Sequence, residues 1–173
     1  MGKRSDFKRI ARDFYPTPLE AAKPLFSHLP RNFTFIEPCA GDGALVDHIT
    51  RNTSGRCILK ADIEPKRQDI AQQNVMGSSD EPDFYITNPP WDRKILHPII
   101  ELLSSLSPTW LLFDADWPHT QQSTPYMESL VKIVSIGRIK WIPNSKMTGK
   151  DNCCWYLFDK SGYKQTEFYG RTQ

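Results

Sequence analysis

Four consecutive residues, Asn88-Pro89-Pro90-Trp91, follow the apolar run Phe84-Tyr85-Ile86-Thr87 and bring hydrogen-bond acceptors next to a flat aromatic ring. The run reads as a buried strand that the two prolines stop. Proline has no N–H, so the turn offers backbone carbonyls without competing donors, and Asn88 adds a side-chain carbonyl. Trp91 supplies a large face for stacking. A planar group bearing an amine suits these residues. A strand that merely ends in a proline turn beside a surface tryptophan suits them equally well, so the tetrapeptide alone leaves both readings open.

A second constellation, Glu37-Pro38-Cys39-Ala40-Gly41-Asp42-Gly43, follows the apolar segment Phe33–Ile36. Gly41 and Gly43 let backbone approach a ligand closely, but Leu45 and Val46 fill the later positions of a dinucleotide fingerprint. The acids Glu37 and Asp42 would repel a pyrophosphate. They suit a cationic ligand such as S-adenosylmethionine, which carries an ammonium and a sulfonium. Asp62 ends the next apolar run, about twenty residues beyond the glycines, where an acid can accept hydrogen bonds from ribose hydroxyls. Singly, the glycines read as a tight turn and Asp62 as a helix cap; in this order and at these strand ends, the nucleoside-cofactor reading prevails.

The elements that must position these residues are legible in the hydrophobic periodicity. Thr17 and Glu20 have capping-box spacing with Pro18 at the first helical position, which predicts a helix to about His28. Its apolar positions Leu19, Ala22, Leu25, Phe26 and Leu29 share one face. Strands are predicted at Phe33–Ile36, Cys57–Asp62, Phe84–Thr87 and Trp110–Phe113. Between them lie helices through Ile49, over Asp69–Gln73 and over Ile95–Leu106. The runs Val131–Trp141 and Cys153–Phe158, joined by the polar loop Asn144–Asn152, leave no room for a crossover and should pair antiparallel. The sum is an α/β fold with a mostly parallel sheet, an antiparallel edge pair and helices on both faces.

The 173 residues suffice for one domain, expected over 14–173, preceded by a basic arm over 1–13. Net charge is only +2, but Lys3, Arg4, Lys8, Arg9 and Arg12 crowd that arm, and Lys140, Lys146 and Lys150 form a second group. Both could follow a phosphate backbone or be solvated surface. No apolar run approaches the roughly 18 residues of a membrane span, and the N-terminus has no signal-like segment, so a cytoplasmic protein without membrane partners is expected. Cys39, Cys57, Cys153 and Cys154 form no C-x-x-C, and a reduced state without a metal site is expected.

Taken together, Tyr15-Pro16-Thr17-Pro18, the Glu37–Gly43 loop, Asp62 and Asn88-Pro89-Pro90-Trp91 resemble the adenine-N6 amino-methyltransferases of DNA, in their compact phage-type form with the cofactor motif ahead of the Asn-Pro-Pro-aromatic motif. The resemblance spans Tyr15 to at least Phe158. It implies the class I, Rossmann-like methyltransferase fold with a seven-stranded sheet and S-adenosyl-L-methionine as cofactor. It further implies that Tyr15 and Thr17 cover the methionine end of the cofactor, and that Glu37, Pro38, Ala40, Gly41, Asp42 and Gly43 line it. Asp62 and Ile63 would hold the ribose end, Asn88 would also lie close to the methionine moiety, and Asp80 is the nearest candidate for the acid that binds the cofactor adenine.

In the implied reaction Asn88 and Pro89 accept the two N–H bonds of the exocyclic amine, Pro90 stiffens the turn and Trp91 stacks on a base turned out of the duplex. Trp117, Lys146 and Lys150 are the further candidates for substrate contact; Trp117 equally suits a ring packed on Pro118. Nucleic acid, DNA first, is the implied partner of a monomer or weak dimer in a bacterial or phage-infected cell. With no evident target-recognition domain, short or relaxed site recognition is expected. The same motif serves methylation of RNA adenine or of protein glutamine, and a catalytically silent nucleic-acid-binding module is the alternative of another class.

Overall fold

The computed structural model describes residues 15–142, 149, 151–161 and 165–171. The basic arm, Lys146 and Lys150 lie outside the described residues.

The described chain forms three helices, α1 (Leu19–Phe26), α2 (Ala44–Asn52) and α3 (Arg93–Leu106). They cover a sheet of β1 (Thr34–Glu37), β2 (Arg56–Asp62), β3 (Ala71–Gln72), β4 (Phe84–Thr87), β5 (Thr109–Asp114), β6 (Leu130–Arg138), β7 (Asn152–Phe158) and β8 (Glu167–Tyr169). The strand order is β3-β2-β1-β4-β5-β7-β6-β8. From β3 to β5 neighbours are parallel; β7 is antiparallel to both β5 and β6, and β8 adds to β6 in parallel. The mostly parallel sheet with its antiparallel pair is as expected. An eighth short strand covers the outer side of β6, so that pair lies one strand in from the edge.

Central strands read as continuous apolar runs because both their faces are buried. In β5, Trp110 and Leu112 point to the core under α1 and α2, while Leu111 and Phe113 point to the core under α3. The same alternation sends Cys153 and Trp155 of β7 one way and Cys154, Tyr156 and Phe158 the other. Phe113 and Tyr156 stack at 4.2 Å and 17° across this pair. On the opposite face Trp155 Nε1 donates to Ala21 O at 2.8 Å, pinning α1 to the sheet.

Two local expectations give way to tertiary contacts. Asp69–Gln73 forms no helix: Asp69 is held by Arg67 and Lys60, and Ala71–Gln72 instead pairs with Ala61 and Asp62. Thr17 caps nothing; Pro18 is the N-cap of α1 and makes no side-chain cap bond. Glu20 reaches sideways to accept the Lys140 N–H at 3.2 Å. Among the described residues no helix is long and apolar enough to cross a membrane.

Candidate active site

From β1 the chain moves outward to β2 and β3, then returns to the other side of β1 as β4 and β5. This reversal opens a crevice at the carboxyl ends of β1 and β4, the usual ligand position in such sheets. Glu37 ends β1 and Asn88 follows β4, so the two constellations meet at that crevice.

The glycine loop is built around carboxylates. Gly41 and Gly43 have φ of 54° and 79°, in the left-handed region that glycine enters without strain. The Gly41 N–H donates to Asp62 Oδ2 at 2.8 Å, and the Glu64 N–H donates to Asp62 Oδ1 at 2.8 Å. An ionised carboxylate has about four acceptor positions, so both oxygens of Asp62 keep capacity for further donors. Asp42 Oδ1 accepts the Ala44 N–H at 3.0 Å where α2 begins, while Ala40, 5% exposed, is tied to Ala61 O through its N–H. Pro38 is buried beside it.

Glu37 is the most unusual group here. It is 2% exposed and its Oε2 has no hydrogen-bond partner. Burial pushes its carboxyl well above the ordinary range; the Val46 N–H opposes the shift, and the charges of Asp42, Asp62 and Asp47 reinforce it. The neighbouring Cys39 thiol is pushed up to about 12, again mainly by burial, and is therefore no nucleophile.

Arg67 gave no signal in the sequence. Its guanidinium grips Asp69 through Nε and Nη2, and Nη1 reaches Asp47 Oδ2 at 2.9 Å and Asp42 O at 3.2 Å. A Cβ on Gly43 would lie 2.6 Å from Nη1, so the glycine also makes room for this strap. The cation is taken up by Asp47 and Asp69, which leaves Glu37, Asp42 and Asp62 as the negative lining.

Asn88 is held at both ends of its amide. Its Nδ2 donates to Thr17 Oγ1 at 3.2 Å, and its Oδ1 accepts from Trp91 Nε1 at 3.2 Å. Because an indole N–H can only donate, it dictates which way the amide faces. The hydroxyl expected to cap α1 instead orients Asn88. Trp91 shares its N–H with Leu112 O at 3.1 Å, and its ring packs against the cores on both sheet faces. Pro89 is buried and Pro90 half-buried.

The structure separates other expected residues from this centre. Trp117 is fully buried, donates to His97 Nε2 at 3.0 Å and packs on Phe113, Tyr156 and Phe158. A ring enclosed by core aromatics has no face for a substrate, so Trp117 leaves the site. Asp80 is exposed and stands before β4, its carbonyl accepting the Tyr85 hydroxyl at 2.6 Å. The residues that directly follow β3 are Gln73 and Asn74, and the Gln73 N–H donates to Asp62 O at 2.9 Å. Ile63, beside Asp62, is 54% exposed.

Tyr15, half-buried, is joined by a residue the sequence reading had placed at the end of a strand. Strand β6 stops at Arg138, after an irregularity in its pairing at Gly137, whose φ is 76°. Trp141 lies beyond it, its ring centroid 6.5 Å from Tyr15 and 5.8 Å from Trp91. A groove of about 540 Å³ also runs between α2 and β2, lined by Val46, Cys57, Ile58 and Lys60, away from Asn88.

No protein-family model matches this sequence, and no curated protein sequence does. Solved structures do share its fold. A proposed RNA methyltransferase of Pyrococcus horikoshii superposes with a TM-score of 0.67 at 16% identity, over 91% of this chain and 93% of that one. A proposed class I S-adenosylmethionine-dependent methyltransferase of Listeria monocytogenes gives 0.61 at 11% identity, over 89% and 64%. The M protein of the type I restriction enzyme EcoKI gives 0.54 at 12%, over 91% of this chain but only 48% of its own length. The fold is therefore that of the class I S-adenosylmethionine-dependent methyltransferases. At these identities the likeness is one of architecture.

Proposed function

We propose that this protein transfers a methyl group from S-adenosylmethionine to a planar amine, and that the amine is N6 of adenine in DNA. The observation that carries this reading is the Asn88 amide, fixed by Thr17 and Trp91 beside a loop lined with carboxylates.

The residues present fit the cofactor. Glu37 brings a buried oxygen without a partner, and with Asp42 and Asp62 it favours a ligand that carries positive charge. The remaining acceptor positions of Asp62 suit ribose hydroxyls, and Ile63 offers exposed apolar surface beside them. Asp80, with its backbone tied along the flank of β4, is the weaker choice for the cofactor adenine; the side chains of Gln73 and Asn74 follow β3 directly. When bound, the cofactor supplies an electrophilic methyl group.

The chain's own residues then prepare the acceptor. The exocyclic nitrogen of adenine shares its lone pair with the ring and is a poor nucleophile. Asn88 Oδ1 has a second acceptor position besides the one Trp91 uses, and with the Pro89 carbonyl it can take the two amine N–H groups, freeing that lone pair for attack. No strong base is required, because the amine becomes acidic only once methylated. His97, the histidine nearest in sequence to the motif, is already engaged by Trp117. DNA is the proposed acceptor of a monomer or weak dimer with short or relaxed site recognition. RNA is the second reading, favoured by the near full-length superposition on the Pyrococcus protein.

Incubation with labelled S-adenosylmethionine and duplex DNA, single-stranded DNA, RNA or a glutamine-bearing protein, followed by digestion, tests the reading. N6-methyladenine in DNA is expected; its appearance only in RNA selects the second reading, and its absence from every nucleic acid refutes both. Asn88→Ala is expected to lower transfer by roughly 100-fold or more, the scale on which one oriented polar group in an active site acts, while cofactor binding persists.

A further inference from the structure

The aromatic residue of the Asn-Pro-Pro motif is occupied elsewhere. Trp91 divides its indole N–H between Leu112 O and Asn88 Oδ1 and wedges its ring between the cores of the two sheet faces. These contacts make it an anchor for the Asn88 amide. Another ring stands over the same place.

β6 runs in the same direction as β4 and β5, because β7 is antiparallel to both β5 and β6. Its carboxyl end, and whatever follows, therefore rises beside Asn88. Trp141 is there, half-buried, meeting Trp91 edge to face at 84° and Tyr15 at 58°. Unlike Trp91, it packs on the core of one sheet face only.

The segment bearing this ring is secured from two sides. The Lys140 N–H donates to Glu20 of α1 at 3.2 Å. The Gly149 N–H donates to Ile139 O at 2.8 Å, and a Cβ on Gly149 would stand 2.9 Å from Ile139 O and 3.2 Å from Trp141 Cδ1. Glycine thus lets the returning chain close against the indole. A partly exposed tryptophan braced in this way loses little further freedom when a flat ligand stacks on it, which favours binding.

We propose that Trp141 provides the aromatic face on which the acceptor base stacks, while Trp91 serves as a positioning residue for Asn88. This rests on the methyltransferase reading for the identity of the acceptor as a nucleobase. Stacking asks only for a π-face, whereas Asn88 and Pro89 ask for an amine on that face, so the two contacts divide the recognition of adenine between them.

The test uses the full chain and fluorescein-labelled single-stranded DNA 12-mers that carry either adenine or an abasic residue at one central position. Wild type should prefer the adenine strand. Trp141→Leu, which keeps apolar bulk without a π-face, should lose roughly tenfold or more of that preference, with the cofactor dissociation constant and melting temperature nearly unchanged. Trp141→Phe should restore most of it and shows the effect to be aromatic rather than structural. Trp91→Phe should keep the preference and lower kcat. An unchanged preference in Trp141→Leu, or no preference in wild type, overturns the assignment of Trp141. Failure of wild type to methylate any nucleic acid refutes the function reading separately, since the binding preference is read without turnover.

Discussion

Replacing Glu37 by glutamine should have opposite effects on the free protein and on cofactor binding. The substitution keeps the shape and an oxygen for the Val46 N–H but removes a charge that is buried, lacks a partner at Oε2 and stands near Asp42, Asp62 and Asp47. Because the folded pKa of Glu37 lies above its ordinary value of 4.5, the folded protein keeps a proton that the unfolded chain has already lost. Stability is thus fully present below that ordinary value and falls as pH rises towards the folded pKa. Each pH unit within the interval costs about 1.4 kcal/mol. Glu37→Gln removes this slope, so its advantage over wild type should grow with pH. Cofactor binding should weaken by about 10- to 150-fold, the equivalent of roughly 1.5–3 kcal/mol for one lost charge-assisted hydrogen bond. Urea unfolding of both proteins from pH 5 to 8, with calorimetric titration of S-adenosylhomocysteine at pH 8, measures the two effects. Parallel stability profiles, or equal affinity, would refute the assignment of Glu37 as the group that receives the cofactor's positive end.

Two further substitutions separate positioning from packing. Thr17→Val removes the oxygen that orients the Asn88 amide; leaving a nearly buried donor unpaired costs about 1–3 kcal/mol, so kcat should fall by one to two orders of magnitude, and Thr17→Ser should restore it. Unaltered kcat in the valine variant would detach Thr17 from that role. Trp117→Phe loses the bond to His97 inside the core and should lower stability by about 1 kcal/mol or more in urea titrations while leaving the Michaelis constant for DNA unchanged. A raised Michaelis constant without loss of stability would return Trp117 to the substrate site.

Strand positions were legible where local pattern and burial agree. Phe84–Thr87 appears as β4 over the very residues its apolar run marks, and Asp92 caps α3 one turn ahead of the predicted start at Ile95. Capping chemistry failed at Thr17 because a residue 71 positions away offered its hydroxyl a partner that local sequence cannot show. The proposed Asp69–Gln73 helix failed likewise, since Arg67 and Lys60 claim Asp69 and β2 recruits Ala71 and Gln72. Trp117 and Trp141 are chemically identical in the sequence; only packing sends one into the core and leaves the other half-exposed beside Asn88.

By itself the sequence determined which chemical groups stand at the strand ends: acceptors without donors after β4, glycines between acids after β1 and an acid closing β2. These follow from residue type and a period of two or 3.6, which act over a few positions. Tertiary structure decided which way the Asn88 amide faces, that the oxygen of Glu37 is left without a partner, and which tryptophan keeps a free face. Those outcomes depend on hydrogen bonds and contacts between segments tens of residues apart, and such contacts exist only once the sheet has brought the segments together.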